Sequence, residues 1–175
     1  MNTTYMSIGR VLSTWEWFEG HLAIVFSYLL GAPDKESFAS LRAYGSVLTF
    51  RGRCEMIDAA AEAYFAQFPD ADIADLYRSV TTKAGRLSAR RNEIAHGMVQ
   101  NLGGEGDGFV VAPSYYATNK RKLGFNAAGD GFHTVPTYRY SSVEIDRFNQ
   151  TFGLLYAECM QLLTALYEKR TAPKS

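Results

Sequence analysis

Apolar residues recur at helical spacing over most of the chain. Between residues 5 and 30, Ile8, Val11, Leu12, Trp15, Phe18, Leu22, Val25, Phe26 and Leu29 fall on one face, which predicts one long amphipathic helix. Gly31 and Pro33 follow it, as a C-terminal glycine and a proline should. Trp17, Ile24 and Tyr28 give the same helix a second apolar face, so it sits either at the centre of a bundle or against a partner subunit. Residues 34–68 read as one helix or two, "DKESFASLRAYGSV" and "LTFRGRCEMIDAAAEAYFAQF", with Gly45 as the point of division. Pro69 ends that stretch. Asp70 or Asp72 can cap a helix from about 72 to the mid-90s, with Ile73, Leu76, Tyr77, Val80, Ala84 and Leu87 inward. "SSVE" supplies a capping box, Ser141 with Glu144, for a last helix to about residue 169. That helix turns Ile145, Phe148, Phe152, Leu155, Cys159, Leu162, Leu163 and Leu166 inward.

After Gly97 the period changes and glycine becomes frequent. "MVQNL", "FVVAPSYYA" and "TVPTYRY" read as short strands, "GGEGDG" as a loose hairpin tip and "NKRKLG" as a basic loop. The pattern predicts a small antiparallel sheet or a pair of hairpins, inserted near 98–140 between helices. No internal repeat is visible. The fold class is mainly α: four or five helices with one β insertion, in one domain over 1–175.

Composition narrows the function without choosing it. With 47% apolar and 21% charged residues, a disordered or low-complexity chain is excluded. Eighteen basic and eighteen acidic residues cancel, so no global field draws nucleic acid, and any such binding must come from local basic clusters. The first residues lack the pattern of a secretory signal, and the longest apolar run, "LAIVFSYLL", is too short to span a bilayer. Cys54 and Cys159 have no metal-ligand spacing. The expectation is a reduced cytoplasmic protein with two core cysteines and no membrane association.

Chemistry concentrates in "SARRNEIAHGMV", residues 88–99. Asn92 and His96, at i and i+4, share a helix face, whereas Arg91 is displaced from His96 by roughly 140° at about 100° per residue. To aim both at one phosphate, either the helix bends near Gly97 or two copies of the motif meet across a dimer. An imidazole can take a proton from a ribose 2′-hydroxyl or give one to a leaving oxygen, and a guanidinium can hold a phosphate bidentately. Asn92 can orient the histidine or bind the phosphate. The bland alternative is a solvated helix end beside Gly97.

Lys83, Arg86 and Arg90 lie at i, i+3 and i+7 on the motif's helix, and "NKRK" adds Lys120, Arg121 and Lys122. These six either track an RNA backbone or belong to a solvated helix face and an ordinary loop. Tyr115, Tyr116, Tyr138 and Tyr140 either stack bases or pack a sheet. "GGEGDG" lacks the lysine of a phosphate-cradling loop, and no helix follows it. His21 and His133 have no partner spacing that suggests a metal or a catalytic triad.

"RNEIAH", Arg91 to His96, resembles the R-x4-6-H signature of the HEPN superfamily, with the polar residue after the arginine that its ribonuclease members favour. The likeness extends over the helical parts, roughly 5–97 and 141–169, and its specific portion is the six residues of the motif. It implies a HEPN-like helical bundle that dimerises, so that two motifs form a composite ribonuclease site needing no metal or other cofactor. Cleavage through the ribose 2′-hydroxyl would leave a 2′,3′-cyclic phosphate. By that likeness Arg91 and His96 carry over as catalytic residues and Asn92 as their polar helper, in a toxin with a cognate antitoxin or in a phage-defence effector. The alternative is a non-catalytic dimeric module that binds a nucleotide, an RNA or a protein partner in the same cleft. The β insertion lies outside the family's minimal pattern.

Overall fold

The helical periodicities become, among the described residues, five α-helices, with short strands between the fourth and the fifth. The computed structural model describes residues 2–31, 38–101, 107–125, 129 and 131–171. The helices are α1 (Asn2–Leu29), α2 (Phe38–Ser46), α3 (Phe50–Gln67), α4 (Ala71–Ala95) and α5 (Ser142–Thr171). Between α4 and α5 come β1 (Gly97–Asn101), β2 (Phe109–Pro113), a 3-10 turn (Thr118–Lys120), β3 (Arg121–Phe125), β4 (Phe132–Pro136) and β5 (Tyr140–Ser141). The chain is thus mainly helical with small antiparallel sheets.

Its ends and breaks have local causes. Gly31 takes a positive φ of 72°, and its N–H and that of Leu30 return to the last carbonyls of α1. Pro33 and the "DKES" start expected of the next helix lie outside the described residues. Gly45 stays inside α2. The division falls instead at residues 47–49, where the Thr49 hydroxyl caps α3 by accepting from the Gly52 N–H at 3.1 Å. A helix tolerates one glycine, but a capping hydroxyl starts a new one. Asp70, not Asp72, caps α4, through a bond from the Ile73 N–H of 3.1 Å. The capping box closes as read: the Ser141 N–H donates to Glu144 Oε2 at 2.9 Å, and the Glu144 N–H to Ser141 Oγ at 3.3 Å.

The chain packs as two compact units, residues 14–88 with 152–175 and residues 1–13 with 89–151. The first is helical. Trp15, fully buried, sets its ring at 5.0–5.3 Å from those of Phe18, Phe50 and Phe152. Glu19 is buried too, and it takes hydrogen bonds from the Trp15 indole and the Arg53 guanidinium, so its charge is paired. Burial pushes the Cys54 thiol up to about 11 and that of Cys159 to about 12, so both remain protonated, but only Cys159 belongs to the core; Cys54, expected there too, is half-buried. The second apolar face expected of α1 is reduced, because Tyr28 is buried and Ile24 half-buried, which leaves Trp17 exposed.

The second unit holds both sheets. β1 pairs antiparallel with β2, from Gly97↔Pro113 to Asn101↔Phe109, and β2 with β5 at Val110↔Ser141. Val11, Ile94, Val110, Val111, Ala112 and Ile145 are buried here. The Thr4 hydroxyl donates to Asp107 Oδ1 at 2.7 Å, fastening the start of α1 to the residues before β2. β3 and β4 form a separate two-stranded ribbon, Arg121↔Pro136 to Phe125↔Phe132.

Three strand readings change. "NKRKLG" is no loop: Lys120 closes the 3-10 turn and Arg121 to Phe125 pair along β4. "FVVAPSYYA" stops as a strand at Pro113, and "TVPTYRY" divides at Pro136 between two sheets. Proline has no N–H for the ladder, and both strands end on one. Of "GGEGDG", residues 103–106 lie outside the described residues. No helix among the described residues is long and apolar enough to cross a membrane.

Candidate functional site

Ala89, Asn92 and Glu93 of α4 and His96, the residue that follows it, are spaced i, i+3, i+4 and i+7, so these four stand on one face at the C-terminal end of the helix. Ile94, buried, anchors the opposite side. The helix stops because β1 begins at Gly97, and the His96 N–H makes the last helical bond, to the Asn92 carbonyl at 3.0 Å. Gly97 is required by space. A Cβ there would meet Val111 Cγ1 at 2.3 Å and the Glu93 carbonyl oxygen at 2.8 Å.

This face is one wall of a pocket of about 380 Å³. The facing wall comes from Pro113 of β2, from Ser114 and Ala117 after it, from Lys120 in the 3-10 turn and from Tyr138. The volume falls in the range of small-ligand sites, roughly 300–1,000 Å³. Asn92 and His96 line the pocket and are exposed. Arg91 is half-buried, does not line it, and donates to Asn92 Oδ1 at 3.2 Å. In one chain the imidazole and the amide therefore share a site that the guanidinium does not enter, as helical geometry requires.

The centre of the site is Glu93, a residue the motif treats as a spacer. Its side chain is 11% exposed. One carboxylate oxygen accepts from Arg90 Nη1 and from the Tyr140 hydroxyl at 2.7 Å, and the other from Lys120 Nζ at 3.2 Å. Its backbone carbonyl accepts from the Tyr138 hydroxyl at 3.1 Å. Arg90 also donates to the Tyr140 oxygen at 2.7 Å, and the rings of Tyr138 and Tyr140 stack at 5.2 Å. Burial alone would raise the Glu93 carboxyl. The bonds from Tyr140 and Lys120 and the Arg90 charge outweigh it and hold the carboxyl below its ordinary range. For Tyr140, burial and its bond to Glu93 push the hydroxyl up to about 12. Glu93 thus ties α4 to the β region and fixes the wall opposite His96. Its signal in the sequence was Glu93 three residues after Arg90; its other partners lie 27 to 47 residues away.

Most of the basic candidates are held within the chain. Arg90 and Lys120 pair with Glu93. Arg121 donates to Thr134 and to the Pro113 carbonyl. In the helical unit, Lys83 pairs with Glu158 at 2.7 Å. Arg86 and Lys122 are exposed. His133 is exposed on β4, and His21 donates through Nδ1–H to the Trp17 carbonyl at 2.8 Å and packs edge-on against Tyr156. Among the described residues no group of three or more His, Cys, Asp or Glu side chains could hold a metal ion. Chemically the pocket offers an imidazole and an amide at an open mouth, with an ammonium and a paired carboxylate behind them.

Comparison with protein-family models, with curated proteins and with solved structures finds no match to this chain.

Proposed function

We propose that the chain is an endoribonuclease of HEPN type acting as a homodimer, in a toxin–antitoxin pair or a phage-defence system. The observation that carries this reading is the shared placement of His96 and Asn92 on one wall of a nucleotide-sized pocket. In the reaction, His96 takes the proton of a ribose 2′-hydroxyl. The 2′-oxygen attacks the adjacent phosphorus, the bond from phosphorus to the 5′-oxygen breaks, and that oxygen takes a proton from water. The products are a 2′,3′-cyclic phosphate and a 5′-hydroxyl. Asn92 orients the imidazole or the phosphate. Arg91 stabilises the transition-state charge. Because Arg91 stays out of the pocket that holds its own His96, the guanidinium at each site comes from a second copy.

A second reading is favoured by one observation: the lysine nearest the motif, Lys120, is already paired with Glu93 inside the pocket. On that reading the pocket binds a nucleotide, an RNA or a protein partner without cutting. Induced expression of wild type and His96→Ala, with total RNA run on a gel, separates the two. Growth arrest with RNA fragmentation in the wild type alone is the result expected of the nuclease. Equal growth with intact RNA, both proteins being soluble, is the result expected of the binding module.

A further inference from the structure

We infer that Tyr115 and Tyr116 form a base-stacking platform at the mouth of the His96 pocket, which makes the substrate a single strand of RNA; the inference rests on the ribonuclease reading. The four tyrosines of the β region separate cleanly. Tyr138 and Tyr140 are committed to each other and to Glu93. Tyr115 and Tyr116 are not: they are 64% and 85% exposed. They lie between two residues of the pocket wall, Ser114 and Ala117, on a turn closed by the Ala117 N–H donating to the Ser114 carbonyl at 3.0 Å. Ser114 is buried, so one foot of the turn is fixed while its tip faces solvent.

The Tyr115 ring is also held from within the chain. The Arg121 guanidinium lies 4.9 Å from the centroid of the Tyr115 ring. That guanidinium is itself immobilised by three bonds: Nε to Thr134 Oγ1 at 2.8 Å, Nη1 to the Pro113 carbonyl at 2.8 Å and Nη2 to the Thr134 carbonyl at 3.0 Å. Arg121 thus covers one face of the Tyr115 ring and holds it in place, so a base would stack on the opposite face with a cation behind the ring. Lys122, the next residue, is exposed. The unit that holds the pocket carries eight basic residues against six acidic ones, and the other unit ten against twelve, a local bias towards an anionic partner. A base in a duplex has both faces covered by its neighbours, so only an unpaired base can take the tyrosine face.

The test uses the wild-type chain with 2′-O-methyl RNA, which lacks the attacking hydroxyl and cannot be cut. One oligonucleotide is offered single-stranded and as a blunt duplex. The single strand binds at least about ten-fold more tightly. Tyr115→Ala and Tyr116→Ala each weaken single-strand binding by about ten-fold and leave duplex binding and the melting temperature unchanged, while the phenylalanine variants bind like the parent. Equal affinity for the two forms, or alanine variants indistinguishable from a parent that still cuts RNA, overturns the platform and leaves the nuclease standing. Tyrosine-dependent binding without cleavage of natural RNA supports the platform and removes the nuclease. A parent that binds neither form overturns the platform, and one that also cuts no RNA overturns both.

Discussion

Glu93 and His96 lie one helical turn apart and do opposite work. His96 is exposed. Glu93 is nearly enclosed and gathers Arg90, Lys120 and Tyr140 on one carboxylate. Glu93→Ala leaves a buried hydroxyl and a guanidinium without their acceptor and costs on the order of 2–3 kcal/mol of stability. His96→Ala costs less than about 0.5 kcal/mol, as a surface substitution does. Denaturant titration of the two variants checks the contrast. The pH dependence follows in sign. The Glu93 carboxyl is depressed on folding from its usual 4.5, so its stabilisation is complete above that value and is lost as pH falls through the lower, folded pKa. Wild type therefore loses more stability than Glu93→Gln between about pH 5 and pH 3, and parallel curves for the two would show that the carboxylate is not held by its partners.

Among the elements, the helices were legible, and in the β region most strand segments were legible but their pairing was not. Period, proline and capping chemistry are local: Pro69 with Asp70, and Ser141 with Glu144, place the starts of α4 and α5 to within a residue or two. Strand pairing is not local. Nothing near "NKRKLG" announces that Arg121 to Phe125 will pair with residues 132–136, or that Pro113 will hand the chain to a turn bearing Tyr115 and Tyr116. The pocket was half legible. Helical spacing alone puts Asn92 and His96 together and Arg91 aside, but the wall opposite is brought by residues 113–138, and the hub at Glu93 by partners of long sequence separation. The joint between helix and sheet is Gly97. Gly97→Ala drives a methyl into Val111 and the Glu93 carbonyl and costs about 1–3 kcal/mol, measurable as a lowered melting temperature. An unchanged melting temperature would mean that β1 does not leave α4 as closely as described.

For the whole molecule, the separation of Arg91 from the His96 pocket makes a composite site the natural consequence of the nuclease reading. Sedimentation should then show twice the 19.5 kDa protomer mass. Arg91→Ala and His96→Ala are each inactive alone, yet mixing them restores part of the activity, because one site of the mixed dimer keeps a guanidinium from one copy and an imidazole from the other. A monomer, or a mixture as dead as its components, would place all the chemistry within one chain. The most direct measurement is cleavage of a single-stranded RNA by purified wild type and His96→Ala in the presence of EDTA, with the product ends identified. The expected result is 2′,3′-cyclic phosphate ends from the wild type and a loss of about 10²–10⁴ in rate for the folded variant. A folded His96→Ala protein that cuts as fast as the parent would contradict the assignment of this pocket as the active site.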